Sequence, residues 1–201
     1  MKRLIFFISL FISIYQTGFT QDFWHEGAIT LKNNLSISGE LSFEAGLDKI
    51  KYKSTLYQKN FKLNDLIAFQ FEDYELGIDR YFVIDQFEGN TALFEVIVEG
   101  RYPVYRQLKN IDLFNQEGTL TEDDYNFYIS SEGTLVPFKD FEEKTLKQIV
   151  WDYPFEIRDF IYKYNLNLDV TAHKVLVMQH YNAITAPNID HSRAQKLLSI
   201  R

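Results

Sequence analysis

Basic and aromatic side chains are interleaved in one short stretch of the sequence, Arg101-Tyr102-Pro103-Val104-Tyr105-Arg106. Side chains alternate between the two faces of a strand, so Tyr102, Val104 and Arg106 would share one face. A guanidinium next to tyrosine rings can bind a carboxylate or a sugar ring. We therefore name Tyr102, Tyr105 and Arg106 as candidate ligand-binding residues.

The same stretch also has a purely structural interpretation, which the sequence favours. Pro103 has no N–H to donate, and prolines within sheets are confined to edge strands, strand starts and bulges. The sequence therefore predicts an edge strand here, protected by Pro103 against pairing with another chain.

The four histidines do not have the spacing of a metal site. His173 and His180 are predicted on one face of a helix, but they lie two turns apart, about 10 Å along its axis. A shared metal ion needs both ring nitrogens within about 2.1 Å. We predict no metal site, and we expect these histidines at the edge of a packed helical face.

Carboxylates offer two further kinds of chemistry. Glu122-Asp123-Asp124 presents oxygen ligands of the type that Ca²⁺ prefers, but the spacing of the hand-type calcium loop is absent, and a solvated turn is favoured. Glu40, Asp85 and Glu95 could supply an acid and a base only if folding brings them into one cleft. A metal-independent, carboxylate-based hydrolase or lyase therefore remains the alternative function.

Sequence motifs of catalytic and cofactor sites are missing. The chain has no cysteine, which excludes disulfides, thiolate nucleophiles and cysteine metal sites. The G-x-S-x-G serine elbow, the H-E-x-x-H metal motif and the glycine-rich phosphate motifs do not occur. These absences favour a non-catalytic protein without a cofactor.

The first 20 residues have the layout of a secretory signal peptide. Lys2 and Arg3 precede the uncharged apolar run Leu4 to Tyr15, and Gly18 and Thr20 are the small residues that signal peptidase requires. An apolar run of about a dozen residues is shorter than the roughly 20 that span a bilayer as a helix. We expect cleavage after Thr20, a periplasmic or secreted location and no permanent membrane anchor. A retained N-terminal anchor is the alternative.

The mature chain is predicted to be acidic. The whole sequence has 21 Lys and Arg against 28 Asp and Glu, and loss of the two basic residues in the leader leaves 19 against 28, a formal charge of −9. An acidic surface repels phosphate backbones. We therefore expect no nucleic-acid partner.

Alternating apolar and polar residues predict strands from Trp24 to Val136. Asn33-Asn34 predicts the tight turn of a first hairpin, and Gly39 indicates a bulge or a close backbone approach in its second strand. Many short strands joined by turns favour an antiparallel sheet of the sandwich or barrel-like type. The strands expected after this hairpin cover residues 48–53, 56–63, 67–71, 80–84, 92–98, 102–106, 125–129 and 134–136.

The periodicity becomes helical after Pro137. We predict one helix over 138–150, a second that Pro154 opens, and a third over 169–184 with Asp169 as its N-cap. The expected fold class is α+β, an N-terminal antiparallel sheet followed by about three C-terminal helices. The expected organisation is a signal peptide at 1–20, a β domain at 21–137 and a helical region at 138–201 packed on it.

Three short patterns resemble small exported proteins of Bacteroidota. They are W-x-E-G-x-I-x-L at Trp24 to Leu31, S-G-E-L at Ser38 to Leu41, and F-E-V-I-V-E-G at Phe94 to Gly100. The resemblance implies an envelope or secreted location and brings no catalytic residue with it. We expect a non-catalytic binding or interaction module whose partner is an envelope protein, a peptide or a glycan.

Overall fold

A ten-stranded antiparallel sheet forms the larger part of the protein. The computed structural model describes residues 23–43, 49–74, 76–114, 120–131 and 133–186. The expectations for the signal peptide and for the chain after Ala186 lie outside these residues. The strands are β1 (His25–Leu31), β2 (Ser36–Phe43), β3 (Lys49–Lys53), β4 (Gln58–Lys62), β5 (Leu66–Asp73), β6 (Ile78–Phe87), β7 (Asn90–Val98), β8 (Val104–Leu108), β9 (Tyr125–Ser131) and β10 (Thr134–Pro137).

The strands lie in the order β10-β9-β8-β7-β6-β5-β1-β2-β3-β4, and each pair of neighbours is antiparallel. The predicted antiparallel sheet is therefore confirmed, and its strands belong to a single sheet. Because β1 inserts between β5 and β2, the first hairpin joins the two halves of the sheet. The end strands are β10 and β4.

The first hairpin forms at the predicted turn. β1 and β2 pair in an unbroken register, and Asn34 has a φ of 63°, which asparagine tolerates better than most residues with a side chain. The Asn33 side chain accepts a hydrogen bond of 3.1 Å from the Leu35 N–H. The two residues that predicted the turn thus both stabilise it.

Gly39 marks a close approach rather than a bulge, since β2 stays in register with β1 across it. A Cβ atom at this position would lie 2.5 Å from the carbonyl oxygen of Lys53 and 2.7 Å from the Tyr52 ring. Real Cβ contacts are not that short, so only glycine fits beneath this ring.

The two faces of the sheet have different environments. One face, which we call the inner face, carries Ile29, Phe69 and Phe82 at neighbouring positions of β1, β5 and β6, and all three are buried. The other face, which we call the open face, carries a buried aromatic cluster around Phe94 and Tyr128 at one end. The rest of the open face carries charged and hydroxyl side chains.

The helical elements start where the periodicity changed. After β10, a 3₁₀ turn (Phe138–Asp140) and a π-helical segment (Phe141–Leu146) lead into α1 (Lys147–Asp152), followed by α2 (Pro154–Lys163) and α3 (Thr171–Thr185). Pro154 occupies the first turn of α2, where its missing N–H has no intrahelical partner to lose. The three predicted helices are therefore confirmed.

The predicted N-cap of the third helix is wrong. Helix α3 begins after Val170, and no side chain caps it. The Asp169 N–H instead donates to the Asn167 side chain at 2.9 Å. A tight turn built by Asn167 therefore sets the start of the helix one residue later than Asp169 alone suggests.

The helices share a core with the end of the sheet that contains β7 to β10. Val177, Met178 and Tyr181 of α3 are fully buried and belong to one apolar cluster with Val104 and Ile129 of the sheet. Burial of such side chains is the main force that holds a helix against a sheet. Among the described residues, no helix is long and apolar enough to cross a membrane.

Candidate functional site

The structure places the candidate residues Tyr102, Tyr105 and Arg106 in three different surroundings. Tyr102 is buried ahead of β8, and its ring stacks on Tyr181 with centroids 5.5 Å apart. Tyr105 lies on the open face beside Phe94, where burial raises the pKa of its hydroxyl. Arg106 lies on the inner face. The three side chains therefore do not form one site together.

The edge-strand prediction for this stretch is wrong. β8 pairs with β7 on one side and with β9 on the other. Pro103 precedes the strand, and its carbonyl accepts a hydrogen bond of 2.9 Å from the Ser130 N–H. The missing N–H of Pro103 thus falls at a strand start, which is another position that a sheet allows for proline.

Arg106 takes part in a buried ion cluster on the inner face. Glu95 accepts hydrogen bonds of 2.9 Å from both Nε and Nη2 of Arg80, and one of 2.7 Å from Nε of Arg106. An oxygen of Asp73 lies 3.6 Å from Arg80 Nη1. The side chains of Arg80, Glu95 and Asp73 are at most 7% exposed. Among the described residues, the cluster contains two positive and two negative groups.

Electrostatics keep Glu95 ionised in this apolar region. Burial by itself raises the pKa of a carboxyl, but the hydrogen bonds from Arg106 and Arg80 outweigh burial and hold the pKa of Glu95 below its ordinary value. The Arg80 guanidinium also lies 5.0 Å from the Phe82 ring and 5.7 Å from the Phe71 ring. Glu95 is thus engaged in the core and is not poised to donate a proton.

Sequence reasoning missed Arg80 and Asp73, although a signal existed. In β6, Arg80 occupies the same face as Phe82, and in β5, Asp73 occupies the same face as Phe71. A charge at an inward position of an alternating strand must find a partner, because an unpaired buried charge is very costly. The partner itself cannot be read from the sequence, since it lies on another strand.

The carboxylates singled out from the sequence do not meet in one cleft. Glu40 lies on the open face of β2, Asp85 lies near the far end of β6, and Glu95 is buried on the inner face. Glu122-Asp123-Asp124 forms a 3₁₀ turn in which Asp124 accepts hydrogen bonds from Thr121. Among the described residues, no group of three or more histidines and carboxylates can hold a metal ion.

The described histidines have separate structural surroundings. The ring of His180 stacks on Phe160 at 4.0 Å, and Nδ1 of His173 lies within hydrogen-bond distance of the Asn167 backbone. His25 begins β1 and lies beside Phe71 and Tyr74. His191 lies outside the described residues.

The polar part of the open face forms a trough of about 700 Å³. It crosses five neighbouring strands in the order β6-β5-β1-β2-β3, which is roughly 19 Å at the usual spacing between strands. Its lining includes Glu26, Ala28, Thr30, Ser36, Ser38, Glu40, Lys53, Gln70, Glu72, Asp79 and Tyr81, together with Ser54 and Thr55 of the turn after β3. We call this feature the open-face trough.

Like charges face each other across the strands of the open-face trough. Glu26 lies directly opposite Glu40, and Glu72 lies directly opposite Asp79. Lys53 forms an ion pair with Glu40 and is the one cation among the described residues that line the trough. Like charges in directly opposed positions destabilise a sheet. The trough is therefore negatively charged at a cost to folding.

Comparisons with protein-family models, with curated protein sequences and with solved structures give no match for this chain.

Hydroxyl, amide and carboxylate groups are distributed across the open-face trough. They supply hydrogen-bond acceptors along its whole width, and the carboxylates attract positive charge. Tyr81 closes one side of the trough, and burial raises the pKa of its hydroxyl, with a smaller contribution from Glu99. The arrangement is suited to holding an extended, polar, positively charged ligand.

Proposed function

We propose that this protein is an exported, non-catalytic binding protein of the cell envelope that holds a basic, extended peptide segment in the open-face trough. The observation that carries the proposal is the opposition of Glu26 with Glu40 and of Glu72 with Asp79 in a cavity of about 700 Å³. A cationic ligand would relieve the repulsion between Glu72 and Asp79, and the part of the repulsion between Glu26 and Glu40 that Lys53 does not already offset. Binding would thus recover free energy that folding gives up.

The size of the trough supports a short peptide. An extended chain advances about 3.3 Å per residue, so the roughly 19 Å that five strands span accommodate about six residues. Backbone groups of the peptide could bond to the hydroxyls of Thr30, Ser36 and Ser38, which lie along the trough. Lysine or arginine side chains would reach the paired carboxylates.

The lining favours a peptide over a glycan. Sugar rings need flat aromatic surfaces to stack on, and the side chains of Phe69 and Phe71 point to the inner face. Among the described residues that line the trough, Tyr81 is the one whose aromatic side chain lies on the open face. A cationic peptide needs acceptors and negative charge, and the trough supplies both.

The export part of the proposal is supported by the leader-like residues 1–20. Intact mass and the N-terminal residue of the protein from its native host test it. A chain that starts at Gln21 in the soluble envelope fraction supports export. A chain that keeps Met1 in the membrane fraction contradicts it and supports the anchored alternative.

Calorimetric titration with a blocked hexapeptide of alternating lysine and serine tests the binding. A hexapeptide of alternating glutamate and serine is the matched probe of opposite charge. We expect saturable binding of the basic peptide that weakens as salt rises from 0.05 M to 0.5 M, because screening shortens the reach of exposed charges. Equal binding of the two peptides, or no binding of either, would contradict the proposal.

The double variant Glu72→Gln/Asp79→Asn assigns the binding to the trough. We expect it to weaken the binding of the basic peptide about threefold to tenfold, since each exposed charge contributes up to about 1 kcal/mol. Glu142→Gln/Glu143→Gln removes the same charge from an exposed helical segment and serves as the control. A short N-acetylglucosamine oligomer, which is uncharged, would instead support a glycan ligand if it bound more tightly than the peptide.

A further inference from the structure

A second cavity, of about 620 Å³, lies on the inner side of the molecule between α3 and strands β8 and β9. This volume is within the range of sites for small molecules. The cavity is separate from the open-face trough because the sheet lies between them. Its lining includes both arginines of the buried cluster, and we call it the Arg106 pocket.

Arg106 lines this pocket and has unused hydrogen-bond donors. Its Nε donates to Glu95 at 2.7 Å, and its guanidinium lies 4.4 Å from the centre of the Tyr125 ring. Its two terminal nitrogens form no hydrogen bond with any described residue. The side chain is 27% exposed. A planar pair of N–H donors is therefore held in place by Glu95 and Tyr125 and remains open to a ligand.

The start of helix α3 adds to the positive potential of the pocket. Thr171 and Ala172 line the cavity and are the first two residues of this 15-residue helix. No side chain caps the helix at this end. N–H groups in the first turn have no intrahelical acceptor, and the helix dipole favours an anion near them.

Part of the remaining wall of the pocket is apolar. Phe127 of β9 faces Val175 and Leu176 of α3 across it. Leu176 is 42% exposed, which is high for a leucine beside a cavity wall. An occupant with an apolar body would cover this surface and gain from its burial.

We propose that the Arg106 pocket binds a small amphipathic monocarboxylate. Its carboxylate would accept two hydrogen bonds from the terminal nitrogens of Arg106, and its apolar body would lie between Phe127 and α3. A carboxylate matches the fork geometry of a guanidinium. One negative charge suffices, because Glu95 already balances part of the positive charge, and a dianion would be repelled by Glu95 and by Glu122 at the rim.

Titration of the purified protein with octanoate, followed by amide NMR shifts, tests this site. Octan-1-ol is the uncharged probe with the same chain. We expect saturable octanoate binding, with the shifts concentrated at Arg106, Phe127 and the first turns of α3. We expect octan-1-ol to bind at least about tenfold more weakly, because it lacks the charged hydrogen bonds. Equal binding of the two probes, or no saturable octanoate binding, would overturn the proposal.

Two variants locate the binding. Arg106→Gln should weaken the binding of octanoate at least about tenfold. Arg101→Gln, at a half-exposed arginine on another surface, should leave octanoate binding unchanged. Ala172→Trp places a bulky ring at an exposed pocket position while the ion cluster stays intact, so it should abolish binding in a stable protein. Unchanged octanoate affinity in Ala172→Trp would overturn the assignment even if Arg106→Gln does not fold.

Discussion

Arg80 and Glu95 lie on the adjacent strands β6 and β7, and two parallel hydrogen bonds of 2.9 Å join their side chains in a region closed to solvent. Arg106 lies directly opposite Glu95 on β8 and donates to the same carboxylate. One glutamate therefore holds two arginines, one within the core and one at the edge of a cavity.

Glu95→Gln should destabilise the protein by about 3–5 kcal/mol, because it leaves buried guanidinium charge without its main partner. The substitution keeps the shape of the side chain, so packing contributes little. The free energy of unfolding in urea measures the loss. Glu99→Gln, at an exposed position just after β7, should change it by less than about 0.5 kcal/mol. Equal values for both variants would show that the cluster contributes nothing to stability.

Glu95 should also make the protein sensitive to acid. Its pKa in the folded protein lies below the ordinary value of 4.5, so the unfolded chain takes up the proton at a higher pH than the folded protein does. Its contribution to stability is therefore complete above pH 4.5 and is lost as pH falls through the folded-state pKa. Unfolding free energies measured from pH 6 to pH 3 should fall less steeply in Glu95→Gln than in the wild type.

Asn182 of α3 should be important for stability because it joins the helix to the chain before β8. Its side chain accepts from the Tyr102 N–H at 3.0 Å and donates to the Tyr102 carbonyl at 2.9 Å, and both groups are buried. Asn182→Ala should cost about 2–4 kcal/mol, since two buried backbone groups lose their partners. Gln179→Ala, at an exposed position of the same helix, is the control for thermal unfolding. A similar melting temperature in the two variants would contradict this role.

Glu72→Gln/Asp79→Asn should stabilise the protein while it weakens binding of the basic peptide. The two carboxylates are directly opposed on β5 and β6, and relief of their repulsion should add about 0.2–1 kcal/mol. Thermal unfolding at low salt measures the gain, which should shrink at 0.5 M salt. A purely structural role for these residues predicts lower stability on substitution.

Tyr181 should make the stability of the protein sensitive to alkaline pH. Burial, and next the hydrogen bond of 3.0 Å to Asp152, raise the pKa of its hydroxyl above the ordinary value of 10.0. The protonated form is therefore preferred in the folded protein. Its contribution to stability is complete below pH 10 and decreases as pH rises toward the folded-state pKa. Unfolding free energies at pH 8 and pH 11 should differ less in Tyr181→Phe than in the wild type.

The sequence predicted local structure correctly where that structure depends on neighbouring residues. The hairpin at Asn33-Asn34, the helix that begins at Pro154 and the change of period after Pro137 all form as expected. Turn residues and proline act through their own backbone preferences, which do not depend on distant chain. Where a second local signal competed, as with Asn167 beside Asp169, the expected helix start was wrong by one residue.

The candidate sites depended on partners that lie far along the chain. The sequence grouped Arg106 with Tyr102 and Tyr105 as candidate ligand-binding residues. Strand pairing instead places Arg106 opposite Glu95, to which it donates a hydrogen bond. Glu26 and Glu40, and likewise Glu72 and Asp79, become opposed pairs only because the strands pair in a particular register. A register shifted by one residue would send these side chains to the other face.

By itself, the sequence determined the α+β class, the turn of the first hairpin and the boundary between strands and helices, because periodicity and backbone preference act over a few residues. Only the tertiary structure decided that β1 inserts between β5 and β2, that Glu95 holds Arg80 and Arg106, and that an acidic trough forms on the open face. Those outcomes depend on which strands become neighbours. The choice of neighbours follows from the burial of apolar surface summed over the whole chain, which no single segment contains.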